Sequence, residues 1–239
     1  MKPLIGILGG MGPLATVDLM EKIIEETIAS RDQDHVPVVA WNVPQIPDRQ
    51  QALAATGPSP LAAMLEGIAQ LNAVRATRIV IACNTAHHWF DALSAASAAP
   101  IIHIADATLD VLTQSPSGDG AVGLIATRGT LEAGLYQGRF EAHGMRTLTN
   151  TDEEMDSLFT PGCYAIKRGE FEVGGRLLEV AAQRLVDRGA KKLVLACTEV
   201  PIGLKRIGST LLPIAVDPNR ALARACVAYW LQAGQQTAA

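Results

Sequence analysis

The tightest constraint on the fold is a pair of matching stretches in opposite halves of the chain, "RIVIACNTA" at 78–86 and "KLVLACTEV" at 192–200. Each reads as a basic residue, an aliphatic run, an alanine, a cysteine and then a polar sequel. Apolar runs that do not alternate with polar residues belong to strands of a parallel sheet covered by helices on both faces. The match extends outward. "GILGGMG" at 6–12 lines up with "GLIATRG" at 123–129, and each cysteine strand is followed by a proline, an apolar run and an aspartate, in "PIIHIAD" ending at Asp106 and "PIAVD" ending at Asp217. Such spacing is that of a duplicated unit. The expected fold class is α/β, with two similar doubly wound lobes, parallel sheets and a pseudo-twofold relation. The first lobe is expected over residues 1–103, completed by 213–239, and the second over 104–212.

Between these strands run segments of helical period. In "ATVDLMEKIIEETIAS", Val17, Met20, Ile23, Ile24, Thr27 and Ile28 share one face and are expected to pack on the sheet. Further helices are expected over 60–74, 85–97, 130–142 and 219–233, and further strands in "VPVVAWNV", "PIIHI", "AVGLIAT" and "LPIAV". The N-terminal "MKPLIGILGGMG" has the single lysine and apolar run of a leader, but glycines interrupt it and a helical pattern follows at once, so it reads as strand, turn and helix.

A chain of 239 residues, 49% hydrophobic and 18% charged, can bury a substantial core. Its net charge of -4, without a run of basic residues, gives no footprint for nucleic acid or an anionic membrane, and no apolar run reaches the roughly 18 residues of a membrane span. The expected partner is a small molecule. Four scattered cysteines, Cys83, Cys163, Cys197 and Cys226, do not make a disulfide framework, so the expected compartment is the cytoplasm.

The repeat singles out Cys83 and Cys197. A lone cysteine is most often an inert core residue, but these two occupy equivalent strand ends, where ligands bind in open α/β sheets. Cys163 and Cys226 lack that context, and Cys226 falls in the apolar pattern of the last helix. "GMGPLA" at 10–15 matches a dinucleotide-binding turn, yet the acidic residue such a site needs at the end of the next strand is absent, so a plain glycine turn is the expectation. Zinc held by Cys83, His87, His88 and His103 is a rival, weakened because no histidine lies near Cys197. Asn84, Thr85, Thr127 and Thr198 stand at strand ends as possible donors to a carboxylate, and Glu199 is equally a first-turn helix charge or a group that orients a proton.

Two thiols on one small ligand suit the inversion of a stereocentre beside a carboxylate, where a base removes a proton from one face and an acid returns one to the other. Such sulfurs stand apart and are not bonded to each other.

Taken together, "ILGGMGPLAT", "VPQIPDR", "IACNTAH", "IKRGE" and "LACTEV" resemble the cofactor-independent aspartate/glutamate racemase superfamily, in particular its aspartate racemase branch. The resemblance implies an active site in the cleft between the lobes, a two-cysteine mechanism without pyridoxal phosphate or other cofactor, and commonly a homodimer; with zinc set aside on the residues alone, no metal is expected. It also implies that Cys83 and Cys197 are the paired acid and base, that Arg49 and Lys167 grip the substrate's carboxylates, and that Met11, Asn84, Thr85, Thr127 and Thr198 line the pocket. Glu199, in "CTE", points to aspartate rather than to the peptidoglycan-type glutamate racemases. Aspartate and glutamate differ by one methylene, worth only about 1–3 kcal/mol in a pocket, so both stay open as substrates. Two other readings remain open: cis-trans isomerisation of a dicarboxylate by a covalent cysteine, and non-catalytic binding of a dicarboxylate or nucleotide.

Overall fold

The computed structural model describes residues 3–114 and 121–237, the last three without their side chains. Met1 and Lys2, at the head of the segment weighed as a leader, lie outside the described residues. The chain divides into two compact units, residues 1–107 with 219–239, and residues 108–218.

The first unit is built on strands β1 (Ile5–Gly9), β2 (Val38–Asn42), β3 (Arg78–Ile81) and β4 (Ile101–Ile102), all parallel and in the order β2-β1-β3-β4. Every residue of β1 is buried, as the unbroken apolar run requires of an inner parallel strand. Helices α1 (Pro13–Glu26), α2 (Arg49–Leu53), α3 (Leu61–Ala73) and α4 (Phe90–Ala96) connect the strands, with a 3-10 turn over Thr85–Trp89, and α5 (Ile104–Gln114) follows β4 and contains the boundary between the units at residues 107 and 108. Leu8, Met64, Ile68, Leu71, Ile79 and Ile81 form the core of one layer.

The second unit repeats the plan. Strands β5 (Ala121–Ala126), β6 (Thr147–Thr149), β7 (Ala190–Ala196) and β8 (Ala215–Val216) are parallel in the order β6-β5-β7-β8. Its helices are α6 (Arg128–Glu132), α7 (Gln137–Ala142), the short α8 (Asp152–Glu154), α9 (Thr160–Lys167), α10 (Phe171–Asp187) and α11 (Glu199–Arg206). The last helix, α12 (Pro218–Thr237), returns to the first unit, where Arg220 and Arg224 pair with Glu25 and Glu26 at the end of α1. The expected α/β fold with two parallel sheets is thus present. In each sheet the strand order reverses between the first and third strands, and open α/β sheets take their ligands at the carboxyl ends flanking such a reversal. Those ends are the loops after β1 and β3, and after β5 and β7.

Three expectations need correction. The α1 face packed inward is Ala15, Thr16, Leu19, Lys22 and Ile23, together with Asp18, whereas Val17, Ile24 and Ile28 are exposed. Only Ile23 and Thr27 of the expected face are buried. The inward stripe carries a polar cluster that a hydrophobicity pattern misses: Lys22 pairs with Asp18, and the Asn219 amide donates to the same carboxylate at 3.0 Å and to the Ala15 carbonyl at 3.2 Å. Second, the helix expected over 130–142 is broken into α6 and α7, with Gly134 between them at φ +61. Third, the hydrophobic pattern predicts no element between 142 and 191, whereas β6, α8, α9 and α10 lie there. Glycines inside α9 and α10 lower their intrinsic helix propensity, but here they permit close packing. A Cβ on Gly174 would meet the Gly162 carbonyl oxygen at 2.7 Å, and one on Gly175 would meet that of Gly203 at 2.8 Å, so α9, α10 and α11 touch backbone to backbone. Among the described residues, no helix is long and apolar enough to cross a membrane.

Candidate active site

In the first unit the turn after β1 is built by glycine. Gly10 sits at φ +91, and a Cβ there would fall 2.2 Å from the carbonyl oxygen of Val43, at the start of the loop that leads to α2. The Gly10 amide donates to Thr16 Oγ1 at 2.9 Å, fastening the turn to α1. Met11 is buried beyond it, and its carbonyl accepts from Arg49 Nη2 at 3.0 Å. Gly10→Ala combines a left-handed conformation, worth about 1–2 kcal/mol against an L-residue, with that clash. The expected outcome is a melting temperature several degrees below that of the parent, read by thermal denaturation.

Arg49 opens α2, whose N-cap is Asp48, the Oδ1 of which accepts from the Gln50 and Gln51 amides. The guanidinium of Arg49 is buried, with 9% exposure. Its Nη1 donates to the carbonyls of Ile46 at 3.3 Å and Pro47 at 3.0 Å. Among the described residues its Nε is buried without a hydrogen-bond partner, and no carboxylate forms an ion pair with it. A buried charge is expensive unless it is paired. Backbone carbonyls hold this one in place without cancelling it.

Cys83 follows β3 and is buried, its amide bonded to the Ile81 carbonyl at 2.8 Å. Asn84 and Thr85 begin the 3-10 turn, and Thr85 Oγ1 accepts from Gln50 Nε2 at 3.2 Å, so the residue next to Arg49 is linked to the cysteine turn. His87 is a strut. Its Nε2 accepts from the Ile104 amide at 3.2 Å, which places the proton on Nδ1, where it is donated to the Cys83 carbonyl at 2.9 Å. With both ring nitrogens bonded to backbone, His87 braces the cysteine rather than offering a metal ligand. No group of three or more His, Cys, Asp or Glu among the described residues is placed to hold a metal ion.

In the second unit Thr127 ends β5 and caps α6, its Oγ1 accepting from the Thr130 amide. Cys197 follows β7 and is buried. Its Sγ donates to Glu199 Oε2 at 3.1 Å, and that oxygen also accepts from Thr198 Oγ1 at 3.3 Å. The other carboxylate oxygen pairs with Lys167 Nζ at 2.6 Å. Lys167 ends α9, where "AIKRGE" turns at Gly169, and Glu199 starts α11. One helix end therefore brings an ammonium to the carboxylate that receives the thiol's hydrogen bond. One further contact escaped the sequence: Cys163, one turn before Lys167 on α9, lies with its sulfur 3.7 Å from that of Cys197. The four-residue step that puts both on one helix face was the available signal. Contact with the Cys163 thiol, burial and the nearby Glu199 carboxylate push the Cys197 thiol well above its ordinary range, with Lys167 opposing. Cys226 is fully buried in α12, and burial alone takes its thiol up to about 12. All four cysteines are free.

Each unit is thus a parallel α/β sheet whose third strand ends in a buried thiol. The chain matches the family described as Asp/Glu/hydantoin racemase over residues 8–226, and it belongs to that family. Its enzymatic class is accordingly racemase. It is 31% identical to an aspartate racemase from Picrophilus torridus, with a TM-score of 0.84 and coverage of 95% of this chain and 94% of that one. A broad specificity amino-acid racemase, RacX, from Bacillus subtilis (strain 168) is 25% identical over 236 residues, 95% of this chain and 98% of the relative. A glutamate racemase from Francisella tularensis, at 18% identity, TM-score 0.68 and coverage of 98% and 82%, shares the fold.

Proposed function

We propose that the chain interconverts L- and D-aspartate without a cofactor, with Cys83 and Cys197 as the acid and base. The observation that carries this reading is the same buried, free thiol at the same strand end of both sheets. Racemisation needs one group to take the α-proton and a second to deliver a proton to the opposite face, and two equivalent thiols exchange those duties with the hand of the substrate. Cys197 rests protonated, held there by its surroundings, and serves as the acid. In the reverse direction Glu199, 3.1 Å away, accepts its proton. Lys167 keeps that carboxylate in place and partly neutralises it. As the α-proton leaves, negative charge spreads onto the α-carboxylate, where Asn84, Thr85 and Thr198 and the amides starting each following turn are the available donors. Arg49, a buried cation without a carboxylate partner among the described residues, takes the distal carboxylate of the substrate, which selects acidic amino acids. Thr127 and Met11 complete the lining. Glutamate stands second as a substrate.

The test is incubation with L-aspartate in deuterated water. Deuterium at the α-carbon together with the D enantiomer is expected. A thioether adduct without α-exchange would instead mark a covalent isomerase, and tight binding without exchange a binding protein.

The same reading takes the protein to be a cytoplasmic homodimer. All four cysteines are free, as thiol chemistry in a reducing compartment requires. Leu14, Val17, Met20 and Ile24 leave an apolar stripe exposed along α1, and contiguous exposed apolar surface marks association sites. Replacing Val17 and Ile24 together by glutamate is expected to lower the light-scattering mass from that of two chains to that of one. An unchanged mass would remove α1 from the interface.

A further inference from the structure

Cys163 has no part in the proposed proton transfers, and nothing in the repeat accounts for it. It is nevertheless buried against Cys197, sulfur to sulfur at 3.7 Å, and the two belong to one packed cluster with Met155, Phe159, Leu178 and Val200. The thiols come from different elements, α9 and the end of β7, so their meeting is a product of the fold and not of sequence adjacency. Both are buried, Cys197 with 6% and Cys163 with 5% of its surface exposed, whereas Cys226 has none. A disulfide has sulfurs about 2.05 Å apart. Closing the bond brings the two sulfurs about 1.7 Å nearer each other.

We propose that Cys163 and Cys197 form a vicinal dithiol that a peroxide closes to an intramolecular disulfide, reversibly occupying the Cys197 sulfur. In the first step Glu199 Oε2 takes the Cys197 thiol proton along their hydrogen bond, and the thiolate so formed attacks one oxygen of hydrogen peroxide. An S–O bond forms, the O–O bond breaks, and the departing hydroxide takes the proton back from Glu199, leaving a sulfenic acid and water. In the second step the Cys163 sulfur attacks the Cys197 sulfur. An S–S bond forms, the S–O bond breaks, and hydroxide leaves with the Cys163 proton as a second water. Both sulfurs are oxidised by one peroxide. Two equivalents of an external thiol reverse the change. The neighbour thus traps Cys197 at a recoverable stage before further oxygen addition, which is irreversible for ordinary proteins.

The effect on activity rests on the assignment of Cys197 to the reaction, whereas the bond itself does not, so two readouts separate the two claims. The first is peptide mass mapping of the full chain after treatment with hydrogen peroxide. It should show a peptide pair joining Cys163 to Cys197 with the loss of two hydrogens, restored by dithiothreitol. The second is aspartate racemisation before oxidation, after oxidation and after reduction. The parent should regain most of its starting rate on reduction, and Cys163→Ala should regain at least about fivefold less, with sulfinic acid found at Cys197. Cys163→Ser, close in size to the parent, serves if the alanine variant does not fold. A linked peptide without any racemase activity would retain the dithiol and overturn the proposed reaction. Absence of the linked peptide, or equal recovery in parent and variant, would overturn the dithiol.

Discussion

Replacing Cys197 by alanine is expected to lower aspartate racemisation by about 10²- to 10⁴-fold, the usual contribution of a positioned acid or base, and Cys83→Ala should do the same. The loss equals roughly 3–5.5 kcal/mol of transition-state stabilisation. It should come without unfolding, because trimming a buried thiol to a methyl removes a single heavy atom. A second readout distinguishes lost chemistry from lost structure. With one thiol remaining, a proton can still leave and return on one face, so each variant should exchange the α-proton of one enantiomer with deuterated solvent without forming the other. The two variants should favour opposite enantiomers. If both lose exchange of both enantiomers alike, the division of labour between the thiols is wrong. If either keeps full racemisation, its cysteine is not part of the reaction.

Arg49→Met is expected to lower kcat/KM for aspartate by roughly thirtyfold to several thousandfold. Removing one partner from a buried, hydrogen-bonded charge pair costs about 2–5 kcal/mol, and in the proposed reaction the second partner is the substrate's own distal carboxylate. Because Arg49 also donates to the carbonyls of Met11, Ile46 and Pro47, some stability will go with it. The deciding quantity is therefore a ratio. A merely structural arginine would depress turnover of aspartate and alanine equally, whereas one that binds the distal carboxylate loses its preference for aspartate. Arg49→Lys keeps the charge but not the planar fork, and its loss should lie between the two, mostly in KM. Unchanged selectivity in Arg49→Met would reassign the residue to holding the turn together.

The inner strands were the most legible part of the chain, since β3 and β7 are buried parallel strands and announce themselves as aliphatic runs ending in cysteine. The buried face of α1 departs from the hydrophobic pattern because an apolar side chain is not always a buried one. Lys22 and Asp18 go inward as a mutually paired couple, and Val17 and Ile24 go outward. The α10 helix was hidden by Gly174 and Gly175, which a propensity argument counts against a helix and a packing argument demands. At the site, the strand-end positions of Cys83 and Cys197 were readable, but the wiring was not. That Glu199 bridges Cys197 and Lys167, and that Cys163 abuts Cys197, depends on how α9 meets the end of β7 and the start of α11, a distant encounter of which local sequence carries only the four-residue step from Cys163 to Lys167.

That encounter is governed by atoms that are missing. Where α9, α10 and α11 cross, hydrogen stands in place of a side chain at Gly162, Gly174, Gly175 and Gly203, so the separation of the helices is dictated by the main chain itself. The carrier of the ammonium and the carrier of the carboxylate are in this way mounted on a common jig with no adjustable spacer. Exchange of neighbouring aliphatic residues can drift without retuning the constellation, whereas a lone methyl at one crossing would throw several of its distances out of alignment together.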